Sequence, residues 1–515
     1  MPASTAIEPR AIGRAHRGAA IASHPICVAL AITAIITALR AAGTVDSDTA
    51  WQLWIAQRIH AGAHLYLDIV ETNPPLWFWM ALPIDRVASL LHVRIDAVLI
   101  VAIGFLAAVS LAATDRLVGH IEPRRRRLLL GYAALVLCAM PWMHVGQREQ
   151  IVLIGSIPYA ALCAARARSD SIPPILAALI GAGAAVGFAL KHYFLIVPAL
   201  LEMWLWASQR GEWRLRRPEI VALVAVGAAY ACTILAFAPD FLTRILPLLR
   251  LAYGDTGAPS FALLFGPMVL VGLGIVALIA VHFRLLERGR APFATVLLVA
   301  CIGFAAAYFI QSKGWVYHAI PLLGCASLAL AALLAETEAP PPSLRTVAPA
   351  FLILPFLLAF EEQRHAVTPG DDLTGAVAGM RPGDAVGFLA TDTAVAWSVT
   401  LQHRLRYTQR YNGYWMLRAV VRNEQLGSPN PRLVRLGHQI VGETVVDFTC
   451  RPPQRIIVAR PRPGEDAFDI LPFFLRDPQF AALLSHYKAV SRSSFETYVL
   501  ASPLPGRAVA CRSGI

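Results

Sequence analysis

Between Gly43 and Pro75 the chain reads GTVDSDTAWQLWIAQRIHAGAHLYLDIVETNPP, and four carboxylates fall within it: Asp46, Asp48, Asp68 and Glu71. A carboxylate held beside a substrate hydroxyl can take its proton and make it a nucleophile, which is general-base work. Asp46-Ser47-Asp48 also has the spacing to hold a divalent cation, although Asp-x-Asp alone is a weak signal. The carboxylates bracket a stretch, Thr49 to His60, in which Trp51, Ile55 and Ile59 recur at helical spacing. Gln52, Gln57 and Arg58 fall away from that face. A Trp-bearing face of this kind suits a helix lying in a membrane–water interface. The plainer alternative is an ordinary solvated loop, where carboxylates are common.

What must position these acids is a bundle of apolar helices. The chain has 515 residues, 57% of them hydrophobic and only 15% charged, with a mean hydropathy of +0.56. The apolar residues come in long blocks, so the chain reads as a polytopic membrane protein. Its formal charge of +12 sits mainly in short loops between those blocks, which is a topogenic distribution and not that of a nucleic-acid binder. Arg10, Arg14 and Arg17 precede the first block, about Ile21 to Leu39. That block exceeds a usual signal-peptide core and reads as an uncleaved anchor, with residues 1–20 cytoplasmic and the acidic loop outside; cleavage near Ala41 is the alternative.

After Pro74-Pro75, LWFWMALPIDRVASLL is interrupted by Pro83, Asp85 and Arg86. If this segment crosses, Arg124 to Arg127 and the later basic loops fall outside. If it lies in the interface, residues 96–118 run inward and nearly every basic loop is cytoplasmic, so the positive-inside rule favours the interfacial reading. Further spans are expected near 128–143, 150–165, 173–190, 193–208, 218–238, 261–283, 293–310, 316–334 and 346–360, about eleven crossings in all. The expected layout is a transmembrane domain over 21–360 with a first outer loop at 42–95. From 361 to 515 no block is long enough to span. Short β-like runs (Ala385 to Ala390, Arg455 to Ala459, Thr497 to Ala501) and helix-compatible segments (Thr393 to Gln402, Gln479 to His486) suggest a small periplasmic α/β domain.

Three outer loops carry basic residues against the positive-inside bias: HVGQREQ with Arg148, Lys191-His192, and QSKGWVYH with Lys313 and His318. Basic residues at helix ends commonly snorkel to headgroups, but three on the outer side call for another cause, and a bound phosphate is the simplest. Glu149 is placed to orient Arg148. Of the eight cysteines, six lie in apolar segments; Cys450 and Cys511 are the pair in the outer domain, where a disulfide is expected in an oxidising periplasm. Two unpaired thiols are the alternative. No CxxC, P-loop or GxSxG is present, so neither a thiolate zinc site nor ATP-driven transport is indicated.

VDSDTAWQLWIAQRIHAG followed by YLDIVETNPPLWFW resembles the first outer loop of the GT-C glycosyltransferases, with the likeness nearest to bacterial relatives of the dolichyl-phosphate-mannose–protein mannosyltransferases and the lipid A aminoarabinose transferase. The resemblance covers about the first 330 residues. It implies an all-α polytopic GT-C-like fold, with Asp48 as catalytic acid residue, Asp46 its neighbour, and Asp68 and Glu71 at the second acidic position. It also implies a membrane glycosyltransferase of the bacterial inner membrane. The donor would be a polyprenyl-phosphate-linked sugar, and the acceptor an envelope glycan, lipid or protein. Arg148, Lys191 and Lys313 would face the leaving phosphate, with His192 and His318 beside them. The competing classes are a transporter or flippase of lipid-linked sugars and an oligosaccharide polymerase. A transporter places charged or broken segments at the midplane in repeated halves, whereas here the polar residues gather at one face.

Overall fold

The helices start where proline sits. Pro25, Pro123, Pro174, Pro218, Pro267, Pro292 and Pro342 each open a helix, where the missing N–H has no partner to lose. A computed structural model of the chain describes residues 24–209, 211, 213–254, 260–282, 284, 290–366, 371–461, 468–492, 495–504 and 511; the expected cytoplasmic segment 1–20 lies outside them. The bundle runs α1 (Pro25–Ala41), α2 (Ser47–His60), α3 (Leu76–Leu91), α4 (Ile95–Leu117), α5 (Pro123–Cys138), α6 (Arg148–Ala167) and α7 (Pro174–Ala189). It continues through α8 (Ile196–Gln209), α9 (Pro218–Phe237), α10 (Leu246–Ala252), α11 (Pro267–Val281), α12 (Pro292–Gln311), α13 (Ile320–Glu336) and α14 (Pro342–Ala366).

Each apolar segment read as spanning overlaps one of these helices among the described residues. Six described stretches, α4, α6, α9, α12, α13 with its preceding turn, and α14, are long and apolar enough to cross a membrane, and α1, α7 and α11 are shorter apolar helices. Small residues let them approach closely. At Gly181 of α7 an added Cβ would lie 2.3 Å from the Glu219 carbonyl oxygen of α9, so any larger residue there forces the pair apart.

Helix α3 starts and finishes at the same end of the bundle. Near its start, Trp77 donates to the Gly146 carbonyl at 2.9 Å. Just past its end, Arg94 donates to the carbonyls of Ala42 and Gly43. Helix α4, long and apolar enough to cross, begins beside Gly43 and finishes at the other end, where Asp115 pairs with Arg126 at 3.2 Å and Leu117 accepts from Arg168 at 2.8 Å. The Arg124 to Arg127 cluster therefore sits at the opposite end from Asp48. The other basic turns join it there: Arg125 donates to the carbonyls of Thr337 and Glu338 at 3.0 and 2.9 Å. Arg166 grips Glu219 through two bonds of 3.0 and 3.1 Å.

Beyond α14 lies a five-stranded sheet in the order β2-β1-β3-β5-β4, with strands β1 (Ala385–Leu389), β2 (Arg406–Tyr407), β3 (Arg455–Ala459), β4 (Tyr487–Arg492) and β5 (Phe495–Leu500). β1 runs parallel to β2 and β3, while β5 runs antiparallel to β3 and β4. The long helix Pro431–Cys450, which no expected segment covered, buries Leu436, Ile440, Val441 and Phe448 in this domain's core. Those residues recur at helical spacing.

One expectation is corrected. The aromatic face of α2 does not lie on an interface: Trp51 and Trp54 stack at 4.8 Å and meet Trp397 and Tyr407 of the sheet domain at 5.3 to 6.3 Å. Gln52, expected to point outward, is 2% exposed, because α2 is enclosed on both sides by bundle and sheet.

Cys450 and Cys511 are bonded to each other across 61 residues of sequence. Closing a loop of that length stabilises the domain by about 4 kcal/mol in the chain-entropy model. Reduction of the purified protein is expected to lower its unfolding midpoint, and unreduced peptide mapping is expected to recover the two cysteines as one linked pair. Free thiol at both would remove the bond. The helix ends carry a second expectation. Reporter fusions are expected to place Arg127 on the cytoplasmic side and the C terminus on the periplasmic side, and an external Arg127 would mean that α3 crosses.

Candidate active site

The first outer loop is shaped by its own carboxylates. Asp46 is the N-cap of α2 and accepts from the Thr49 N–H at 2.7 Å, which satisfies one of the orphan donors of the first turn. Glu71 takes the Trp51 indole N–H at 2.5 Å, together with the Asn73 backbone and side-chain N–H groups at 2.8 and 2.6 Å. Asp68 accepts from the His64 N–H at 2.8 Å and is buried. Asp68 and Glu71 thus lock the loop around α2, leaving Asp48 as the first-turn acid.

Asp48 faces a phenol: Tyr317 donates to its Oδ2 at 2.8 Å. Burial, then the neighbouring charge of Asp46, push the Asp48 carboxyl up to about 6, against the hydrogen bond from Tyr317 and the charge of Arg148. Asp46 goes the other way. Burial pushes it up, but His144, Gln147 and the Thr49 N–H more than offset this and hold it below the usual range. His144 Nδ1 lies 2.8 Å from Asp46 Oδ2, and Gln147 Nε2 donates to Asp46 at 3.0 Å. Two adjacent acids with separated proton affinities are the usual sign of divided acid–base roles.

HVGQREQ builds the facing wall. Gly146 sits at φ 86°, where an added Cβ would lie 2.7 Å from a Leu99 methyl, so glycine is required at this turn. Its N–H donates to the Gln150 side chain at 2.7 Å, and Gln150 in turn donates to the Leu137 carbonyl at 2.8 Å. That stitched turn starts α6 at Arg148. Arg148 is 3% exposed. Its Nε and Nη1 have no hydrogen-bond partner among the described residues.

Glu149 is 0% exposed and accepts from Lys191 Nζ at 2.5 Å. Lys191 also donates to Gln311 Oε1 at 2.9 Å and lies 3.1 Å from His318 Nε2. Burial lowers the Lys191 ammonium, with the charges of Glu149 and Asp48 opposing and that of Arg148 adding to the fall. Lys313 stands over the Tyr253 ring at 3.6 Å and donates to its carbonyl at 3.1 Å; burial brings it down to about 8. His192 is exposed and stacks on Tyr193 at 3.8 Å.

Asp46, Asp48, Arg148, Glu149, Lys191 and His318 are therefore gathered in one polar cluster at a single end of the bundle. Lys313 stands beside it behind Tyr253, Asp68 and Glu71 support the loop, and His192 turns to the surface. Sequence reasoning passed over Tyr317, His144, Gln147, Gln311 and Glu362. The first four lie in or beside the two polar strings already singled out, but attention went to formal charges, and a phenol or amide announces itself only through a partner. Among the described residues no group of three or more His, Cys, Asp or Glu side chains is placed to hold a metal, and the oxygens of Asp46 are occupied by the N-cap, His144 and Gln147.

No protein-family model matches the chain, and no curated protein matches it. Its fold, a bundle of apolar helices with a small C-terminal sheet domain, is that of solved membrane-protein structures. It is similar to the crystal structure of ArnT from Cupriavidus metallidurans bound to undecaprenyl phosphate. The match has a TM-score of 0.56 and 11% identity, covering 92% of this chain and 98% of that one. The apo structure of the same ArnT matches with a TM-score of 0.53 and 13% identity, over 90% of this chain and 95% of that one.

Removing one partner of a buried ion pair strands the other, at about 3–5 kcal/mol. Lys191→Met is therefore expected to destabilise the protein by an amount of that order, and adding Glu149→Gln should recover much of it. Thermal unfolding of the single and double variants in detergent measures both. A stable Lys191→Met that loses only donor affinity would make Lys191 a phosphate ligand instead.

Proposed function

We propose that this chain is a membrane glycosyltransferase that moves a sugar from a polyprenyl-phosphate donor to an acceptor of the bacterial envelope. The site would face the periplasm and the enzyme would reside in the inner membrane. The observation that carries the reading is Asp48, a partly accessible carboxylate raised to about 6, within electrostatic reach of Arg148, whose buried Nε and Nη1 have no hydrogen-bond partner among the described residues. The GT-C fold and the undecaprenyl phosphate bound by the similar ArnT support it.

Asp48 acts as general base. It takes the proton of the acceptor nucleophile as that atom forms a bond to the anomeric carbon. The bond from that carbon to the phosphate oxygen breaks, and the lipid phosphate leaves with the electron pair. Tyr317 holds the carboxylate in place. Arg148 has N–H donors for the phosphate oxygens as charge develops on them. Lys191, held by Glu149 and His318, and Lys313 add positive charge near Arg148. Dispersing this much charge lowers the barrier most where water is scarce.

The test compares envelope glycans by mass spectrometry in cells lacking the protein, complemented with either the parent or Asp48→Asn. The parent is expected to restore a sugar modification that Asp48→Asn, at equal expression, does not. Full restoration by Asp48→Asn would pass the base role to Asp46, and unchanged glycans on deletion would count against transfer altogether. For the parent, the base must be ionised, so kcat/KM should fall as pH drops through about 6, and hold above it. A profile flat down to pH 5 would refute the assignment.

A further inference from the structure

His144 lies between two carboxylates: Nδ1 is 2.8 Å from Asp46 Oδ2 and Nε2 is 3.0 Å from Glu362 Oε1. An ionised carboxylate accepts but does not donate, so satisfying both requires both ring nitrogens to carry protons. The ring is then an imidazolium clamped at two points. Its face also meets the Tyr317 ring, with centroids 5.4 Å apart, and Tyr317 is the donor to Asp48. One side chain therefore touches both supports of Asp48: the N-cap that starts its helix and the phenol that holds its carboxylate. Neither Asp48 nor a substrate needs to touch His144.

Glu362 belongs to α14, the helix that leads into the sheet domain. A second tie joins the same two bodies farther along α2, where Trp51 and Trp54 meet Trp397 and Tyr407. A third lies in the loop that follows, where the Val70 N–H donates to the Arg410 carbonyl at 2.8 Å. Arg410 is itself held by Asp447. The acid-bearing segment is thus held at its first turn by α14 through His144, and at its middle and return loop by the sheet domain.

We propose that His144 is a positioning residue through which α14 and the sheet domain set the placement of Asp48, so that the sheet domain is a working part of the site. The proposal rests on Asp48 being the base, and the experiment separates the two ideas. Full-length protein in nanodiscs would be compared as parent, His144→Gln, Glu362→Gln and Glu362→Ala. Misplacement of a catalytic group by about an ångström costs on the order of a hundredfold in rate. His144→Gln is expected to lower kcat by about that factor while donor KM stays within roughly twofold, since only geometry at the base is disturbed. Glu362→Gln keeps an acceptor oxygen for Nε2–H and should retain most of the turnover, whereas Glu362→Ala should fall with His144→Gln.

Hydrogen exchange supplies a readout that needs no activity. The amides of Thr49 and Ala50, both bonded to Asp46, should exchange faster in His144→Gln and Glu362→Ala, with the bundle helices unchanged. Unaltered exchange there, or a Glu362→Gln that behaves like Glu362→Ala, would overturn the proposal. If the parent transfers no sugar, the glycosyltransferase reading fails, and the exchange experiment alone decides the tie. Should His144→Gln not fold, the two Glu362 variants carry the test.

Discussion

Glu149 is a carboxylate with no exposed surface, and the end of the bundle is organised around neutralising it. A buried charge without a partner costs several kcal/mol, so Lys191 has to reach it. Lys191 does so from the turn between α7 and α8, and its remaining donors go to Gln311 and His318. That arrangement uses up the ammonium. A lysine with its contacts filled by protein has little left to offer a phosphate, whereas the Nε and Nη1 of Arg148, one residue before Glu149, have no hydrogen-bond partner among the described residues. Two neighbours in sequence thus divide the work: the acid secures Lys191 and the arginine keeps unpartnered nitrogens.

The same logic separates Asp46 from Asp48. Only two positions apart, they differ because Asp46 is saturated with donors, from the helix N-terminus, Gln147 and His144. Asp48 has the Tyr317 hydroxyl and a negative neighbour. Stabilising one charge raises the proton affinity of the other. The donors that fix Asp46 are therefore also what bring Asp48 into the range where a base works near neutral pH. This coupling runs through Glu362 to α14, the helix that leads into the sheet domain, so the electrostatics of the cluster and the placement of that helix are one construction.

Much of this was legible in the sequence because membrane insertion imposes strong rules. Apolar blocks gave the helices, and the consistent sign of the loops between them argued that α3 stays at one end, where Trp77 and Arg94 now place it. The acidic loop and the three basic strings were visible as departures from those rules. What was not legible depended on tertiary partners. The Trp face of α2 has the same periodicity whether it meets lipid headgroups or Trp397 and Tyr407, and only the fold chooses. Asp68 and Glu71 looked equivalent to Asp48 by type and spacing, but local hydrogen bonds to His64, Trp51 and Asn73 tie them to the loop. His144 and Tyr317 carried no formal charge to count, and Glu362 lay at the seam where the apolar pattern ended.

The two ends of the bundle make the direction of function plain in physical terms. At the basic end, arginines are met by protein: Arg126 by Asp115, Arg168 by Asp170, Arg166 by Glu219, and Arg125 by the carbonyls of a turn. Such pairs hold loops together. At the acidic end, Arg148 makes no ion pair or side-chain hydrogen bond among the described residues, and it lies within electrostatic reach of a carboxylate raised to about 6. A chain keeps so costly a group when a ligand completes it. On the proposed reading the donor phosphate satisfies Arg148 while the acceptor hydroxyl gives its proton to Asp48.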